Sequence, residues 1–436
     1  MSIRDFPFHA ALLIIGDELL DGRVTDTNTR AIARLCRARG AQLVETRSVR
    51  DDADAIDSAL RALAGRAKIV VTSGGLGPTV DDRTRAGIAR AARTTLVRSP
   101  EAEARVRAAY TSREAPVTEA RLRQADLPEG AQLLPSDVGT ADAFAVKVDQ
   151  AEVLALPGVP REFEALLERY VAPRLDGSTT RATRMVWRTI GAGESDVAER
   201  VDAAVASAGG GARVSYLAAS PYVVVALDVD DPAAADALRA EVAAAIAPFR
   251  LPEGVTRSEE GLLRAARRRG WTLGTAESFT SGLVASRWTA IPGASDVVRG
   301  GVVAYASSVK VSALGVPSAL LSEYGAVHPK VALAMARGAQ RALGADAAVA
   351  TTGIAGPGPG PQGAPAGTVA FGLITPERAV TVEAYFAGRD RAAVTRAGTA
   401  LATEALRRAL EDDASPLSDL RAHRGVLRVD LRPADW

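Results

Sequence analysis

The 436-residue sequence contains one cysteine, Cys36, so no disulfide bond can form within the chain. Cys36 lies on a predicted helix that ends at Gly40, and we interpret it as a packed side chain rather than a reactive thiol. Histidine is nearly as scarce, because only His9, His328 and His423 occur and each is isolated in sequence from any second histidine or cysteine. Zinc sites and Ser-His-Asp triads are therefore disfavoured.

The chain also lacks an excess of either charge and lacks long apolar runs. Its 53 Lys and Arg residues balance 52 Asp and Glu residues, so the basic surplus typical of nucleic-acid-binding proteins is missing and such partners are unfavoured. No apolar run approaches the ~18 residues that a membrane helix needs, and the N-terminus lacks a signal-peptide pattern. We predict a cytoplasmic protein of two or three domains, since domains usually contain ~100–200 residues.

Glycine is abundant, and the segment TSGGLGPTVDDRT at residues 72–84 is the most informative use of it. It follows the apolar run 69–71, a predicted strand, and precedes the alanine-rich stretch 86–92, a predicted helix. Glycines let backbone amides approach an anion, and a helix N-terminus favours a phosphate. Asp81 and Asp82 would oppose that phosphate unless a divalent cation bridges them. The segment predicts a phosphate and metal site; the alternative is a tight turn with Asp82 as helix cap.

Similar loops recur in the first part of the chain. The predicted strand 11–15 ends in GDELLDG at residues 16–22, and the segments VGTADAF at 138–144 and LPGVPRE at 156–162 follow later. The ends of neighbouring parallel strands converge on one crevice, so the first two loops could serve a single ligand.

The middle of the chain carries no obvious chemistry. Beyond a boundary near Val171–Pro173 the pattern predicts strands at 184–190 and 222–229 and helices at 194–206 and 233–247, with a glycine break at 209–211 between them. This is a small α+β module, which we interpret as a spacer or dimerisation element.

A second candidate site begins at Ser278, which lies between a predicted strand and a predicted helix at 283–289. That placement exposes a hydroxyl and directs helix amides at its reaction partner, although a helix cap is the competing interpretation. Because histidine is scarce, the candidate base is Lys310, which follows a predicted strand at 302–305 and a predicted turn at Ser307–Ser308. A lysine activates a serine only if burial or a neighbouring cation lowers its pKa. The segment TTGIAGPG at 351–358 predicts another strand end suited to contact with a ligand.

The motifs GDELLDG, TNT, SGGLGPTVDDRT, GTA and LPGVPREFE resemble the N-terminal domain of the CinA family, which is similar to the molybdopterin-binding fold of the MogA and MoaB proteins. The resemblance implies an α/β protein whose residues 1–172 form a three-layer domain with Mg²⁺- or other metal-dependent ADP-ribose pyrophosphatase activity. The implied ligand contacts are Ser73, Gly74, Gly75, Gly77, Gly139 and Thr140, and the implied metal ligands are Asp17, Glu18, Asp81 and Asp82.

The motifs TAES, GGVVAY, TGIAGP, GTVAFG and FAGRDR resemble the C-terminal CinA domain, whose family activity is metal-free deamidation of nicotinamide mononucleotide. The resemblance implies a KH-like α+β segment at 173–255, which lacks the GXXG loop of nucleic-acid-binding KH modules, an α/β deamidase domain at 256–412, and a homodimer. The tail, 413–436, has no assigned role. The implied catalytic residues are Ser278, Lys310 and Tyr305, and the implied substrate contacts are Thr280, Gly282, Thr352, Gly353 and Arg391.

Several positions depart from the family pattern. Ser136 replaces an asparagine, and Asp142–Ala143 replace a Pro-Gly pair, so the carboxylate of Asp142 is expected to repel a phosphate. Phe279 and Ser281 replace Cys and Gly, which is expected to place a bulky ring in the oxyanion loop and to strain Ser281 if it requires a positive φ. His328 stands where a serine is usual.

Three functions compete. The first is a bifunctional pyridine-nucleotide hydrolase, acting on nicotinamide mononucleotide and ADP-ribose. The second is a molybdopterin-handling protein. The third is a non-catalytic scaffold connected with DNA uptake or recombination, which the neutral charge disfavours.

Overall fold

The structure, a computed structural model, describes residues 9–175, 183–361, 363–411 and 417–434. The chain divides into two compact units, Met1–Arg181 and Ala182–Trp436. Each unit combines parallel and antiparallel strands with covering helices, so the predicted α/β class is confirmed.

The first unit contains a six-stranded sheet in the order β2-β1-β3-β8-β7-β6. The strands β2, β1, β3 and β8 pair in parallel, whereas β7 pairs antiparallel with β8 and β6 pairs antiparallel with β7. A separate two-stranded ribbon pairs β4 with β5. The strands are β1 (His9–Ile15), β2 (Gln42–Val49), β3 (Ile69–Ser73), β4 (Leu96–Arg98), β5 (Asp126–Pro128), β6 (Gln132–Leu134), β7 (Ala143–Val148) and β8 (Ala151–Leu156). The helices are α1 (Asp17–Leu20), α2 (Asn28–Ala38), α3 (Ala53–Ala64), α4 (Thr84–Ala91), α5 (Pro100–Thr111), α6 (Glu119–Leu122), α7 (Pro160–Leu166) and α8 (Ala172–Leu175).

The central strand β1 explains the three layers. Side chains alternate across a strand, and in β1 both sets are apolar and buried. Leu13 and Ile15 join the core that contains α3 and α4, whereas Leu12 and Ile14 join the core that contains α2 and α7. A sheet buried on both faces needs helices on both sides, which is the predicted architecture.

Local predictions in this unit are confirmed with one exception. Cys36 is buried on α2, where burial raises the pKa of its thiol to about 12, as expected of a packed side chain. The exception is the helix that begins at Pro160. It continues through a π-helical turn at Leu167–Val171 into α8. Helical residues therefore run through Val171–Pro173, where the sequence pattern had suggested that the helix ends. The predicted domain limits at 172 and 255 stay predictions, and the limit at 412 lies outside the described residues.

The second unit begins with the small α+β module. Its strands β9 (Thr183–Ile190), β10 (Ala212–Ala219) and β11 (Tyr222–Val229) form an antiparallel sheet in the order β10-β11-β9, packed against α9 (Glu194–Ser207) and α10 (Pro232–Ala245). Sequence reasoning missed β10. Ala212, Val214 and Tyr216 alternate with polar residues and pack against the core of the module, so a short period-two pattern was an available signal for this edge strand.

The remainder of the unit contains a six-stranded sheet in the order β13-β12-β14-β15-β16-β17, in which the first three strands are parallel and the others antiparallel. The strands are β12 (Leu273–Glu277), β13 (Val298–Val303), β14 (Ala347–Gly353), β15 (Thr368–Ile374), β16 (Arg378–Tyr385) and β17 (Val426–Pro433). The helices are α11 (Ser258–Arg269), α12 (Leu283–Thr289), α13 (Ser307–Leu314), α14 (Ser318–Tyr324), α15 (Pro329–Leu343) and α16 (Arg391–Leu410). The tail thus supplies the edge strand β17.

Helices cover both faces of this sheet. On one face α15 lies so close to β15 that a Cβ on Gly372 would fall 2.3 Å from the backbone of Ala332. The other face packs against α11, α12 and α16. The predicted turn at Ser307–Ser308 is wrong, because these residues begin α13 and so place Lys310 on a helix. Within the described residues, no helix is long and apolar enough to cross a membrane.

Candidate active sites

A cleft of about 460 Å³ lies at the carboxyl ends of β1, β3 and β8. The glycine loop after β3 forms one wall, as predicted for converging parallel strand ends. Gly158, which follows β8, also lines the cleft and lies against Gly74 of that loop. Carboxylates dominate its polar lining, and they come from five residues spread over the unit: Glu18, Asp51, Asp81, Asp82 and Glu162.

Only glycine fits the first two loop positions. Gly74 has φ +110°, and a Cβ there would lie 2.1 Å from the carbonyl oxygen of Ile15. Gly75 has φ +66°, and its Cβ would lie 2.1 Å from Oγ1 of Thr84. The loop backbone therefore approaches its neighbours more closely than any side chain would allow.

Asp82 shapes this loop from within. Its Oδ1 accepts a hydrogen bond of 2.8 Å from the Gly77 amide, and its Oδ2 accepts one of 2.8 Å from the Thr79 amide. Behind the loop, the buried guanidinium of Arg85 donates to the carbonyls of Leu76 (2.9 Å) and Gly77 (2.7 Å). The loop is thus held by one carboxylate and one guanidinium. The alternative of Asp82 as a helix cap is wrong, because the N-cap of α4 is Arg83 and no side-chain cap hydrogen bond is present there.

The carboxylates of the cleft suit a divalent cation. Burial raises the pKa of Asp51 to about 6 and raises the pKa of Glu162. A nearby cation would favour the ionised form of both. No three acidic, histidine or cysteine side chains of the described residues group into a metal-binding cluster. The donor set fits Mg²⁺ nonetheless, since this ion commonly uses one or two carboxylates together with substrate oxygens.

Three of the four predicted metal ligands line the cleft and the fourth does not. Glu18, Asp81 and Asp82 line the cleft, and Asp82 is already engaged by the loop. Asp17 is not part of the lining, and its Oδ1 lies 3.3 Å from Nη1 of Arg50. Its backbone amide instead donates to Oδ2 of Asp51.

The predicted ligand contacts of this unit also separate. Gly74, Gly75, Gly77 and Thr140 line the cleft. The hydroxyl of Ser73 is buried and accepts a 2.8 Å hydrogen bond from Asn28, whose amide also donates to Gly158, so Ser73 ties the layers together. Gly139 lies against the carboxylate of Glu162.

The carboxylate of Asp142, which was expected to repel a phosphate, is paired with an arginine in the structure. The carboxylate accepts hydrogen bonds from Nε (2.7 Å) and Nη2 (3.1 Å) of Arg105 and from the amide of Ser136 (2.7 Å). A bidentate arginine neutralises the charge. Arg105 also donates to the carbonyl of Ser136, so the departures at these positions form one compensated group.

The second site is centred on Ser278, directly after β12. Its Oγ lies 3.0 Å from Nζ of Lys310, and both side chains are almost fully buried. Burial lowers the pKa of Lys310 to about 8. The predicted nucleophile and base are therefore within hydrogen-bond distance, and the base has the lowered pKa that its role requires.

The surroundings of Lys310 orient its lone pair. Besides Ser278, Nζ contacts the carbonyl oxygens of Ala304 (2.7 Å) and Tyr305 (3.1 Å). An ammonium has three N–H donors and satisfies all three oxygens. A neutral amine has two, and if these serve the two carbonyls its lone pair faces the hydroxyl of Ser278, which is the arrangement that removes a proton.

Glu277 organises the loop that follows the serine. Its buried carboxylate accepts hydrogen bonds from the amides of Gly282 (2.8 Å), Val284 (3.0 Å) and Ala285 (2.9 Å) and from the hydroxyl of Thr280 (2.8 Å). It thereby caps the N-terminus of α12, where a negative charge is stabilised. Thr280 is held further by a 2.7 Å contact with the hydroxyl of Thr351.

Two amides of the loop after Ser278 are available to bind an oxyanion. The amide of Gly282 is taken by Glu277, and the amide of Ser281 donates to the carbonyl of Ser278. The amides of Phe279 and Thr280 have no acceptor among the described residues. Among the amides of residues 279 to 282, those of Phe279 and Thr280 are therefore the two available to an oxyanion.

The two substitutions in this loop have different outcomes. The expectation that Phe279 fills the oxyanion loop is wrong, because its ring is buried in the core against Phe371, with ring centroids 6.3 Å apart. Gly353 and Gly398 leave the space that the ring occupies. The expected strain at Ser281 is present, since its φ is +53°, and its hydroxyl bonds the carbonyl of Ser278 at 3.2 Å.

Tyr305 and Arg391 form a separate polar pair. The side chain of Tyr305 is exposed, and its hydroxyl accepts a 2.9 Å hydrogen bond from Arg391, which also donates to the carbonyl of Gly356. Tyr305 reaches Lys310 through its backbone carbonyl. The hydroxyl of Thr352 donates to the carbonyl of Ala326 and is buried.

His328 caps a helix. Its Nδ1 accepts from the amide of Lys330 at the start of α15, and its ring stacks on Tyr324 with centroids 4.4 Å apart. Burial lowers its pKa.

Sequence reasoning missed three residues. Asp51 and Gln124 line the first cleft. Asp51 lies two positions after β2, a strand that the sequence pattern did not predict because its composition is polar. Glu277 precedes Ser278 directly, and a glutamate ending an apolar strand before a helix start was the available signal.

Comparisons with known proteins cover nearly the whole chain. Residues 255–410 match the family model "CinA C-terminal domain", and residues 11–177 match "Probable molybdopterin binding domain". A "CinA-like protein" of Frankia casuarinae is 39% identical over 92% of this chain and 96% of its own length, and one of Citrifermentans bemidjiense is 37% identical over 84% and 88%. A crystal structure of "the protein CinA with unknown function" from Thermoplasma acidophilum is 35% identical, covering 38% of this chain and 96% of that one with a TM-score of 0.36.

Proposed function

The chain belongs to the CinA family, and from that premise we propose that its second unit hydrolyses nicotinamide mononucleotide to nicotinate mononucleotide and ammonia. The observation that carries this proposal is the 3.0 Å contact between Ser278 Oγ and a buried Lys310 whose pKa is lowered to about 8. A serine activated by a neutral lysine suits the attack on an amide.

In the first half of the proposed reaction, Ser278 Oγ attacks the carboxamide carbon while Lys310 takes the hydroxyl proton. The carbonyl oxygen becomes an oxyanion, which accepts hydrogen bonds from the free amides of Phe279 and Thr280. The C–N bond then breaks as Lys310 returns the proton to the departing nitrogen. Ammonia leaves, and the nicotinoyl group remains as an ester on Ser278.

In the second half, a water molecule attacks the ester. Lys310 accepts a proton from that water and passes it to Ser278 Oγ as the ester bond breaks. Nicotinate mononucleotide leaves, and both side chains regain their starting state. Arg391, held by the hydroxyl of Tyr305, supplies the positive charge that a substrate phosphate needs. No step uses a metal.

The test is ammonia release from nicotinamide mononucleotide by the purified chain in the presence of EDTA. Ser278→Ala removes the nucleophile, and Ser286→Ala, an exposed serine on α12, is the matched control. We expect release by the wild type and the control but not by Ser278→Ala. Equal release by all three proteins, or release by none, would refute the proposal.

We propose a second activity for the first unit, the hydrolysis of ADP-ribose to AMP and ribose 5-phosphate. The observation that favours it is the cleft that combines a glycine loop with several carboxylates, two of them with raised pKa values. One or two of the carboxylates of Glu18, Asp51 and Asp81 would hold a divalent cation together with substrate oxygens, and this cation when bound supplies charge neutralisation for the diphosphate. The loop amides orient the phosphates, and Arg85 and Asp82 keep the loop in shape.

AMP release from ADP-ribose, measured with Mg²⁺ and then with EDTA, tests this second activity. We expect release only with the cation, while deamidation is the same under both conditions. Binding without hydrolysis, combined with tight binding of a pterin, would instead favour the molybdopterin-handling alternative.

A further inference from the structure

A second cavity, of about 270 Å³, lies within the unit Ala182–Trp436, between the three-stranded module and α16. Its lining contains none of Ser278, Lys310, Tyr305 and Arg391. It is therefore distinct from the proposed deamidase site. Its apolar wall is formed by Ile190, Pro221, Val223, Phe386 and Leu401.

The polar part of the lining is dominated by three arginines, Arg389, Arg396 and Arg424. Within the described ranges none of the three forms an ion pair. Arg389 lies over the ring of Phe386, 5.5 Å from its centroid. Unpaired arginines beside an apolar cavity favour an anionic ligand, because a guanidinium binds phosphate or carboxylate bidentately.

The start of α9 adds to this positive end. Gly191 and Gly193 line the cavity, and Nη1 of Arg424 lies 3.1 Å from the position that a Cβ on Gly193 would occupy. The amide of Arg424 donates to the carbonyl of Gly191, which keeps the two segments together. The first turn of this 14-residue helix carries its own carboxylate, because Oδ2 of Asp196 accepts a 3.1 Å hydrogen bond from the amide of Gly193. Among the described residues no side chain accepts from the amides of residues 194–196, which remain donors for an anion.

The acidic groups in the lining do not cancel these charges. Glu404 is fully buried and paired with Arg407 and Arg408, and these pairs lower its pKa. His423 is buried, which lowers its pKa to about 4 and keeps it neutral. Glu194 is the other carboxylate of the lining, and Asp196 lies beside it at the start of α9, so three arginines face two acidic residues.

We propose that this cavity binds a nucleoside monophosphate. The apolar wall would pack against the base, and the phosphate would lie at the three arginines and the start of α9. The cavity volume is close to the ~300 Å³ at the lower end of small-molecule sites, which fits a ligand of this size. The site is independent of the proposed deamidation, because neither Ser278 nor Lys310 lines this cavity.

The test is calorimetric titration of the full-length protein with AMP and, separately, with UMP. The variant Arg396→Ala/Arg424→Ala removes two of the arginines, and Arg239→Ala, an exposed arginine on α10, is the matched control. We expect a binding event that weakens at least about tenfold in the double variant, as the loss of charge-assisted hydrogen bonds implies, and that is unchanged in the control.

Two further variants locate the event. Arg391→Ala should leave it unchanged, because this residue lies outside the cavity, and the melting temperature of the unliganded double variant should match the wild type. If neither nucleotide shows a component that depends on Arg396 and Arg424, the proposal is wrong. It is also wrong if Arg239→Ala or Arg391→Ala abolishes the same component.

Discussion

The glycine loop after β3 and the serine loop after β12 are built alike. Each follows a parallel strand, precedes a helix and is held by one carboxylate that accepts loop amides, Asp82 in the first and Glu277 in the second. They differ in the group that faces the cleft. The first loop faces carboxylates with raised pKa values, whereas the second faces a buried amine.

This difference determines what each site must obtain from outside. A cleft lined with carboxylates cannot hold a diphosphate without a cation, since like charges repel in a partly buried space. In the second site the buried lysine with a lowered pKa is itself the base, so this site needs only the substrate. In the functions proposed above, a common loop scaffold would support two chemistries through the charge of a few neighbouring side chains.

The largest expected effect is on the base of the second loop. Lys310→Met keeps the length of the side chain but removes the amine, so we expect deamidation to fall by about 10²–10⁴-fold. The deamidation rate of Lys310→Arg should fall by a similar factor, because a guanidinium stays protonated. Initial rates of ammonia release measure both, with the exposed Lys330→Met as control. Retained deamidation in Lys310→Met would show that the second loop does not depend on a buried amine as its base.

The next effect separates two aspartates of the first unit. Asp51→Asn should lower ADP-ribose hydrolysis by about 10–100-fold, a size typical of disturbed metal surroundings. Asp17→Asn should have a smaller effect, since Asp17 faces Arg50 outside the cleft lining. Measuring AMP release over a range of Mg²⁺ concentrations tests this order. The reverse order would support the ligand set expected from sequence.

A third prediction concerns the two carboxylates that hold the loops. Glu277→Gln should lower the free energy of unfolding by about 1.5–3 kcal/mol, because charge-assisted bonds to several buried donors are weakened. Asp82→Asn should cost less, since its loop is partly exposed to water. Urea denaturation of both variants gives the comparison. Equal losses would show that the two loops depend on their carboxylates to the same degree.

The pH dependence of the second site follows from the lowered pKa of Lys310. The neutral base is the minority form below about pH 8, so kcat/KM should fall about tenfold per pH unit below that value and level off above it. The folded pKa lies below the ordinary value of 10.5, so the unfolded chain binds more protons between these values and this group's contribution to stability increases with pH across that window. A profile that is flat from pH 6 to 8 would contradict the assigned base.

The smallest effect is expected at Ser281. Glycine adopts its φ of +53° without steric cost, so Ser281→Gly should raise the melting temperature slightly, with a gain of at most about 1 kcal/mol. Deamidation should change little, because the side chain bonds only the carbonyl of Ser278. Calorimetric melting measures the difference. A loss of stability would mean that this hydrogen bond outweighs the strain.

Sequence reasoning located the strand ends and helix starts well where the local signals were strong. The predicted strand 11–15 and the helix at 283–289 agree with β1 and α12, because buried apolar runs and glycine boundaries are local properties. The edge strand β10 was missed because its period-two pattern covers only residues 212–216 before the apolar residues 217–219 break it. The helix that crosses Val171–Pro173 was missed because proline is tolerated in the first turn of a new helical segment.

The sites were predicted in part for the same reason. Ser278 and Lys310 were paired by elimination, and their 3.0 Å contact is a product of packing between β12 and α13. Asp51 could not be identified, because its distance from the glycine loop depends on the pairing of β2 with β1. The ring of Phe279 was misplaced, since residue size alone does not indicate that Gly353 and Gly398 leave room for it in the core.

The sequence by itself determined the α/β class, the glycine loops at the strand ends and the residues able to act as nucleophile and base, because these depend on residue type and local spacing. Only the tertiary structure decided which charges meet. It buried Lys310 and thereby lowered its pKa, joined Asp142 to Arg105, and left three arginines beside an apolar cavity. Burial and distance control electrostatic energies, and both are properties of the folded chain rather than of any segment.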